Sequence, residues 1–120
     1  MNRRPIIAID FDGTLVDFNF PDYGKIKPDA KACLLKLQEF CDLILWTCRF
    51  GKDLERIVSY LKFEGISFKA VNENVSYLPF ETSKKIYADY YIDDRADFDG
   101  DWEKVYEKIS SLKVEPFRVL

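Results

Sequence analysis

Three short segments hold most of the residues that could do chemistry. Asp10-Phe-Asp12-Gly-Thr14 sets two carboxylates two positions apart, Thr47-Cys-Arg49 sets a hydroxyl beside a guanidinium, and Asp93-Asp94-Arg95 sets two further carboxylates beside a guanidinium. In an extended chain Asp10 and Asp12 point the same way, about 7 Å apart, and Gly13 permits a tight turn directly after them. Carboxylates brought together raise one another's pKa or share a cation. Oxygen-only ligands favour Mg²⁺ or Ca²⁺ over zinc, and open positions on Mg²⁺ are commonly filled by water and substrate phosphate. An Asp beside such a metal can act as a nucleophile through an aspartyl-phosphate. The chain has no histidine, which excludes Ser-His-Asp and Cys-His catalysis, HExxH zinc sites and His-containing zinc fingers.

Buried strands must bring these segments together. Ile6–Ile9, Leu43–Trp46, Phe68–Val71 and Tyr90–Ile92 are short apolar runs that fit strands of a parallel sheet, and Pro116 to Val119 is a fifth candidate. Helical patterns lie between them: from Pro28 to near Phe40, from Lys52 to Glu64 with Gly65 as a stop, and after Asp101 as a cap, with a short turn expected over 82–88. Residues 15–27 read as a loop or small hairpin. The alternation predicts an α/β domain, three-layered and Rossmann-like with a mostly parallel sheet, spanning residues 1–120 as a single domain. In such sheets ligands bind beyond the carboxyl ends of the strands. There stand Asp10 and Asp12, then Thr47 and Arg49, then Asn72, then Asp93 and Asp94.

Their order resembles the haloacid dehalogenase-like (HAD) phosphohydrolase superfamily. Asp10-Phe-Asp-Gly-Thr14 is similar to its first motif, Thr47 to its second, a lysine ahead of the last motif to its third, and Asp93-Asp94 to its fourth. The resemblance implies that Asp10 is the nucleophile and a Mg²⁺ ligand. It implies that Asp12 is the general acid/base, with its backbone carbonyl on the metal, and that Thr47 binds the phosphoryl oxygens. Asp93 and Asp94 complete the metal site, and a lysine offsets the charge. Lys84 and Lys85 are adjacent candidates for that lysine; Lys85 is preferred because Ser83-Lys-Lys85-Ile-Tyr-Ala-Asp89 resembles a segment of small capless members. The loops after Thr14 and Asn72 have no room for a cap domain, so an open site is expected, with residues 16–27 as its one local lid. Arg49 and Arg95 look similar to arginines of the 3′-phosphatase domain of polynucleotide kinase. That likeness makes Arg49 a substrate-binding candidate, with Asn72, beside Thr47 and Lys85.

The expected substrate is therefore a phosphorylated small molecule, with a nucleotide or nucleic-acid end as an alternative. A HAD-like module that binds a phosphorylated ligand or partner without turnover is the competing class, and an open site also suits one completed by a homo-oligomeric neighbour. A response-regulator receiver is disfavoured, because its phosphoacceptor would end the third strand, where this chain has Val71-Asn72. Three cysteines without a CxxC, and an N-terminus with too short an apolar run for a signal peptide, predict a cytoplasmic protein with no membrane partner. Phe18, Phe20 and Tyr23 could pack on the core, contact a substrate base or meet another subunit. The 21 acids and 18 bases are unevenly placed: residues 10–22 and 93–103 hold ten acids and one base, leaving 11 acids and 17 bases elsewhere.

Overall fold

The computed structural model of the chain describes residues 3–117. Four parallel strands, β1 (Ile6–Ile9), β2 (Asp42–Leu45), β3 (Ala70–Val71) and β4 (Tyr90–Ile92), form one sheet in the order β3-β2-β1-β4. Three helices, α1 (Pro28–Leu37), α2 (Gly51–Phe63) and α3 (Trp102–Ser110), complete an α/β Rossmann-like fold without a cap domain. β1 is the central strand with β2, and all of its side chains are buried. A strand covered on both faces needs a continuous apolar run rather than alternation, which is what Ile6-Ile-Ala-Ile9 supplies.

The two faces are covered differently. Ile7, Ile9, Leu43, Leu45 and Ile92 pack against Leu34 and Leu37 of α1, Ile57 and Leu61 of α2, and Trp102, Val105 and Ile109 of α3. Ile6, Ala8 and Ile44 pack instead on Val75, Ile86 and Ala88, with Leu78, Tyr87 and Phe117 at the margin. The third layer is therefore irregular chain. The connection from β3 to β4 must pass from one edge of the sheet to the other, and it does so across this face as loop. The helical turn expected over 82–88 is absent. Asn74 takes its place: its side-chain oxygen accepts the Tyr87 N–H at 2.7 Å and its amide donates to Thr82 at 2.8 Å. The first bond satisfies a backbone N–H that a helix would have paired internally.

Element ends follow local chemistry. Asp101 caps α3, its carboxylate accepting the N–H groups of Glu103 and Lys104. Pro28 opens α1 at a position where a missing N–H costs nothing. β2 begins one residue earlier than its apolar run, because the Asp42 N–H donates to Pro5 at 2.9 Å and continues the ladder with β1. Of the expected fifth strand, Pro116 and Phe117 are not in a strand, and Arg118 and Val119 lie outside the described residues. Residues 17–27 form a loop; an isolated bridge pairs Asp12 with Val16, and the Lys27 N–H donates to Leu15. Among the described residues no helix is long and apolar enough to cross a membrane.

Candidate active site

The sheet order reverses between β1 and β4. β1 is followed by β2 on one side, while β4 lies on its other side. Such a reversal opens a crevice at the carboxyl ends of the strands. Asp10 and Asp93 are neighbours across it, since Ile9 pairs with Ile92 and the Asp10 N–H donates to Ile92 at 2.9 Å. Carboxylate oxygens of Asp10, Asp93 and Asp94 all lie within 4.8 Å of one another, on half-buried side chains.

Thr14 holds this cluster together from a fully buried position. Its Oγ1 accepts the Asp94 N–H at 3.0 Å and stands 3.2 Å from a carboxylate oxygen of each of Asp10 and Asp94, able to donate to one at a time. The tight turn that carries it back is closed by the Thr14 and Leu15 N–H groups donating to Phe11. Gly13 sits in this turn at φ 81, and a Cβ there would collide with the Asp94 carboxylate. Only glycine serves both demands.

Among the described residues, none of the three carboxylates has an ion-pair partner. The Asp10 carboxyl is accordingly pushed up to about 7, first by burial, then by the charge of Asp93 and the contact with Asp94, against the opposing hydrogen bonds of Thr14 and the Phe11 backbone. Three converging oxygen donors with no protein cation among them match a hard divalent ion such as Mg²⁺.

Asp12 is placed apart from this cluster. Both of its oxygens are taken by Arg49, Nε to Oδ2 at 2.8 Å and Nη2 to Oδ1 at 2.7 Å. Arg49 is fully buried as a side chain, and its remaining N–H groups donate to Asp53 at 2.6 Å, to the Pro21 carbonyl at 2.9 Å and to the Asp22 carbonyl at 3.1 Å. Its guanidinium also lies 4.9 Å from the Phe20 ring and 5.7 Å from that of Tyr23. A guanidinium has five N–H donors, and all five are used. In this arrangement every Arg49 donor is engaged by protein, and none is free for a substrate.

Thr47 stands at the end of β2 with its hydroxyl accepting the Arg49 N–H at 3.2 Å. Asn72, in the left-handed region at φ 55, accepts the Thr47 N–H at 2.8 Å through its side-chain oxygen. Asn72 therefore supports the Thr47 loop. Lys85 makes no ion pair with the carboxylates: its ammonium lies 5.4 Å from the ring of Tyr91, and Lys84 and Lys85 form no ion pair among the described residues. Arg95 is exposed, with its guanidinium 5.9 Å from the exposed Phe18 ring. Tyr23 packs on Phe11 and Tyr60, whereas Phe18 and Phe20 remain exposed.

Two residues of this region escape a sequence reading. Thr14 belongs to the first motif, but its bond to Asp94 spans 80 positions. Asp53 carries one signal, its spacing of four from Arg49 at the start of a helical pattern. Cys33 and Cys41 are buried and Cys48 is exposed, all unpaired; burial pushes the Cys33 thiol up to about 11 and Cys41 to about 12, so these two behave as packed apolar groups.

No family model and no curated protein matches the chain. A solved structure does: the conserved protein coded by a locus of Bacteroides thetaiotaomicron superposes with a TM-score of 0.81 at 36% sequence identity, over 93% of this chain and 94% of that one. At that identity, over nearly the full length of both chains, the chain belongs to the same family as this conserved Bacteroides protein.

Proposed function

We propose that the chain is a Mg²⁺-dependent phosphomonoester hydrolase that works through an aspartyl-phosphate on Asp10. The observation that carries this reading is the trio of converging carboxylates, without an ion-pair partner among the described residues, at the crevice where the strand order reverses. Asp10, Asp93 and Asp94 would hold the metal. When bound, the ion would offset their charge and that of the phosphoryl oxygens.

Asp10 Oδ attacks phosphorus, the bond to the leaving oxygen breaks, and its electron pair goes to that oxygen, which takes a proton from Asp12. Water then attacks phosphorus while Asp12 accepts its proton, and the bond from phosphorus to Asp10 breaks with the electron pair returning to the carboxylate. Thr47, at the end of the adjacent strand, holds the phosphoryl oxygens. Among the described residues neither Lys84 nor Lys85 pairs with an acid, so the burden of charge neutralisation would fall on the metal. The absence of a cap domain and the open rim suit a phosphorylated small molecule or the end of a larger chain. The engagement of all five Arg49 donors takes away the main support for a polynucleotide 3′-phosphatase-like reading.

A second reading, a module that binds a phosphorylated ligand without turnover, is favoured by one observation: both Asp12 oxygens are already occupied. A panel of aryl, sugar and nucleoside phosphates and a 3′-phosphorylated oligonucleotide, assayed with and without Mg²⁺, separates the two. Magnesium-dependent release of phosphate supports the hydrolase. Binding of Mg²⁺ without release from any member supports the module.

A further inference from the structure

The Asp12–Arg49–Asp53 group raises a question that the hydrolase reading leaves open, since a carboxylate gripped at both oxygens cannot serve a reacting group. We propose that Arg49 is a positioning residue that latches Asp12 away from the reacting centre, and that Asp53 is the counter-ion that lets the latch open. The proposal rests on the phosphatase reading above, and it assigns that site a resting state and a release step.

Arg49 joins three parts of the molecule. It holds Asp12 beyond β1, Asp53 in the first turn of α2, and the backbone carbonyls of Pro21 and Asp22 in the 17–27 loop. Phe20 and Tyr23 of the same loop face the guanidinium, and Phe11 lies against it at 5.6 Å. A buried guanidinium stripped of its carboxylate is strongly unfavourable. Here two carboxylates serve one buried cation, so Asp12 can leave while Asp53 stays. The departing carboxylate gives up its bonds to Nε and Nη2, and Arg49 keeps Asp53, two carbonyls and the aromatic ring faces. Asp53 is anchored for this from its other side by Arg56 at 2.8 Å. The carboxyl of Asp53 is held below the usual range, chiefly by Arg49. A single buried carboxylate on Arg49 would make a permanent pair; the second one makes exchange possible. The contacts to Pro21 and Asp22 tie the latch to the position of the loop, so that a substrate moving the loop loosens the grip on Asp12.

The test is Asp53→Asn, which keeps the shape and one acceptor but leaves Asp12 as the sole carboxylate on Arg49. Rapid acid quench with p-nitrophenyl phosphate and Mg²⁺ measures phosphoenzyme formation and breakdown separately. The nitrophenolate leaves without proton assistance, so formation should stay within about twofold of wild type. Breakdown, which needs Asp12 to take a proton from water, should slow about tenfold, within the range such catalysis contributes. Phosphoenzyme should then accumulate. With an alkyl phosphate, whose leaving oxygen needs the proton, formation should slow as well. Asp53→Glu, which restores the carboxylate, should recover breakdown to within about threefold. Equal slowing of both steps with p-nitrophenyl phosphate, or no slowing of breakdown, overturns the latch while leaving the hydrolase reading intact. A wild-type protein that neither forms phosphoenzyme nor releases phosphate overturns the hydrolase reading, and the latch with it.

Discussion

The two ends of the sheet carry the same residue type in opposite electrostatic conditions. At the amino end, Arg3 grips both oxygens of Asp89 at 2.7 Å, and Arg4 meets Asp42 at 2.8 Å. Asp89 also accepts the Ile6 N–H at 2.7 Å and the Tyr87 hydroxyl at 2.8 Å. Burial alone would raise the Asp89 carboxyl, but Arg3, the Ile6 N–H and Tyr87 together hold it below the ordinary range. At the carboxyl end, Asp10, Asp93 and Asp94 converge with no ion-pair partner among the described residues, and the Asp10 carboxyl is pushed up to about 7, burial being the largest cause and Asp93 the next. Aspartate at a strand end therefore says little alone. What separates a brace from a reaction centre is whether the fold supplies the opposite charge. At the amino end the fold supplies it; at the carboxyl end, among the described residues, it does not, and under the proposed function a bound metal cation would.

Breaking the comparison at the carboxyl end should produce the largest effect. Asp10→Asn removes the proposed nucleophile, and steady-state release of phosphate from p-nitrophenyl phosphate with Mg²⁺ should fall by at least ~10³-fold, as for loss of other catalytic nucleophiles. Undiminished turnover would remove the aspartyl-phosphate from the account. At the amino end the same kind of change should spare chemistry and cost stability. Asp89→Ala leaves Arg3 without its buried carboxylate, and urea unfolding should show a loss of about 3 kcal/mol with kcat near wild type. A loss of kcat at unchanged stability would reverse the roles assigned to the two ends.

A smaller effect sharpens the contrast through pH. Asp10 has a folded pKa above its unfolded value, so the native state binds the extra proton between about pH 4 and about pH 7. An acid shifted upward makes the metal-free protein lose stability as pH rises through that window. Asp10→Asn removes this penalty. At pH 8 without metal the variant should be more stable than wild type by about 1 kcal/mol, after discounting for solvent screening, and at pH 4 the difference should vanish. Thermal unfolding at the two pH values checks it; a variant less stable than wild type at pH 8 would mean that the three carboxylates do not repel one another.

How much of this was legible in the sequence depends on how far apart the partners stand in the chain. β1 and β4 match their apolar runs residue for residue, because buried parallel strands need unbroken local hydrophobicity. α1 begins at Pro28 and α3 directly after its Asp101 cap, signals that act locally, and α2 begins at Gly51, one residue before the expected Lys52. The carboxylates at the strand ends were also legible, since strand direction alone carries them to one rim. The burial of Arg49 was not. Its pairing with Asp12 spans 37 positions, and its saturation depends on backbone carbonyls of the 17–27 loop, which show in no residue type. Lys85 illustrates the converse. The resemblance of Ser83–Asp89 to a segment of small capless members implies a site lysine at Lys85, and the structure sets that ammonium 5.4 Å from the ring of Tyr91, a placement that the sequence did not show.

The contrast between the two ends reduces to one measurement. Isothermal titration of Mg²⁺ into the metal-free protein at pH 8 should show a single site, lost in Asp10→Asn and in Asp93→Asn and retained in Asp89→Asn. Absence of binding to the wild type, or equal binding by the Asp10 and Asp93 variants, would contradict the claim that the unpaired carboxylates at the carboxyl end form a metal-dependent reaction centre.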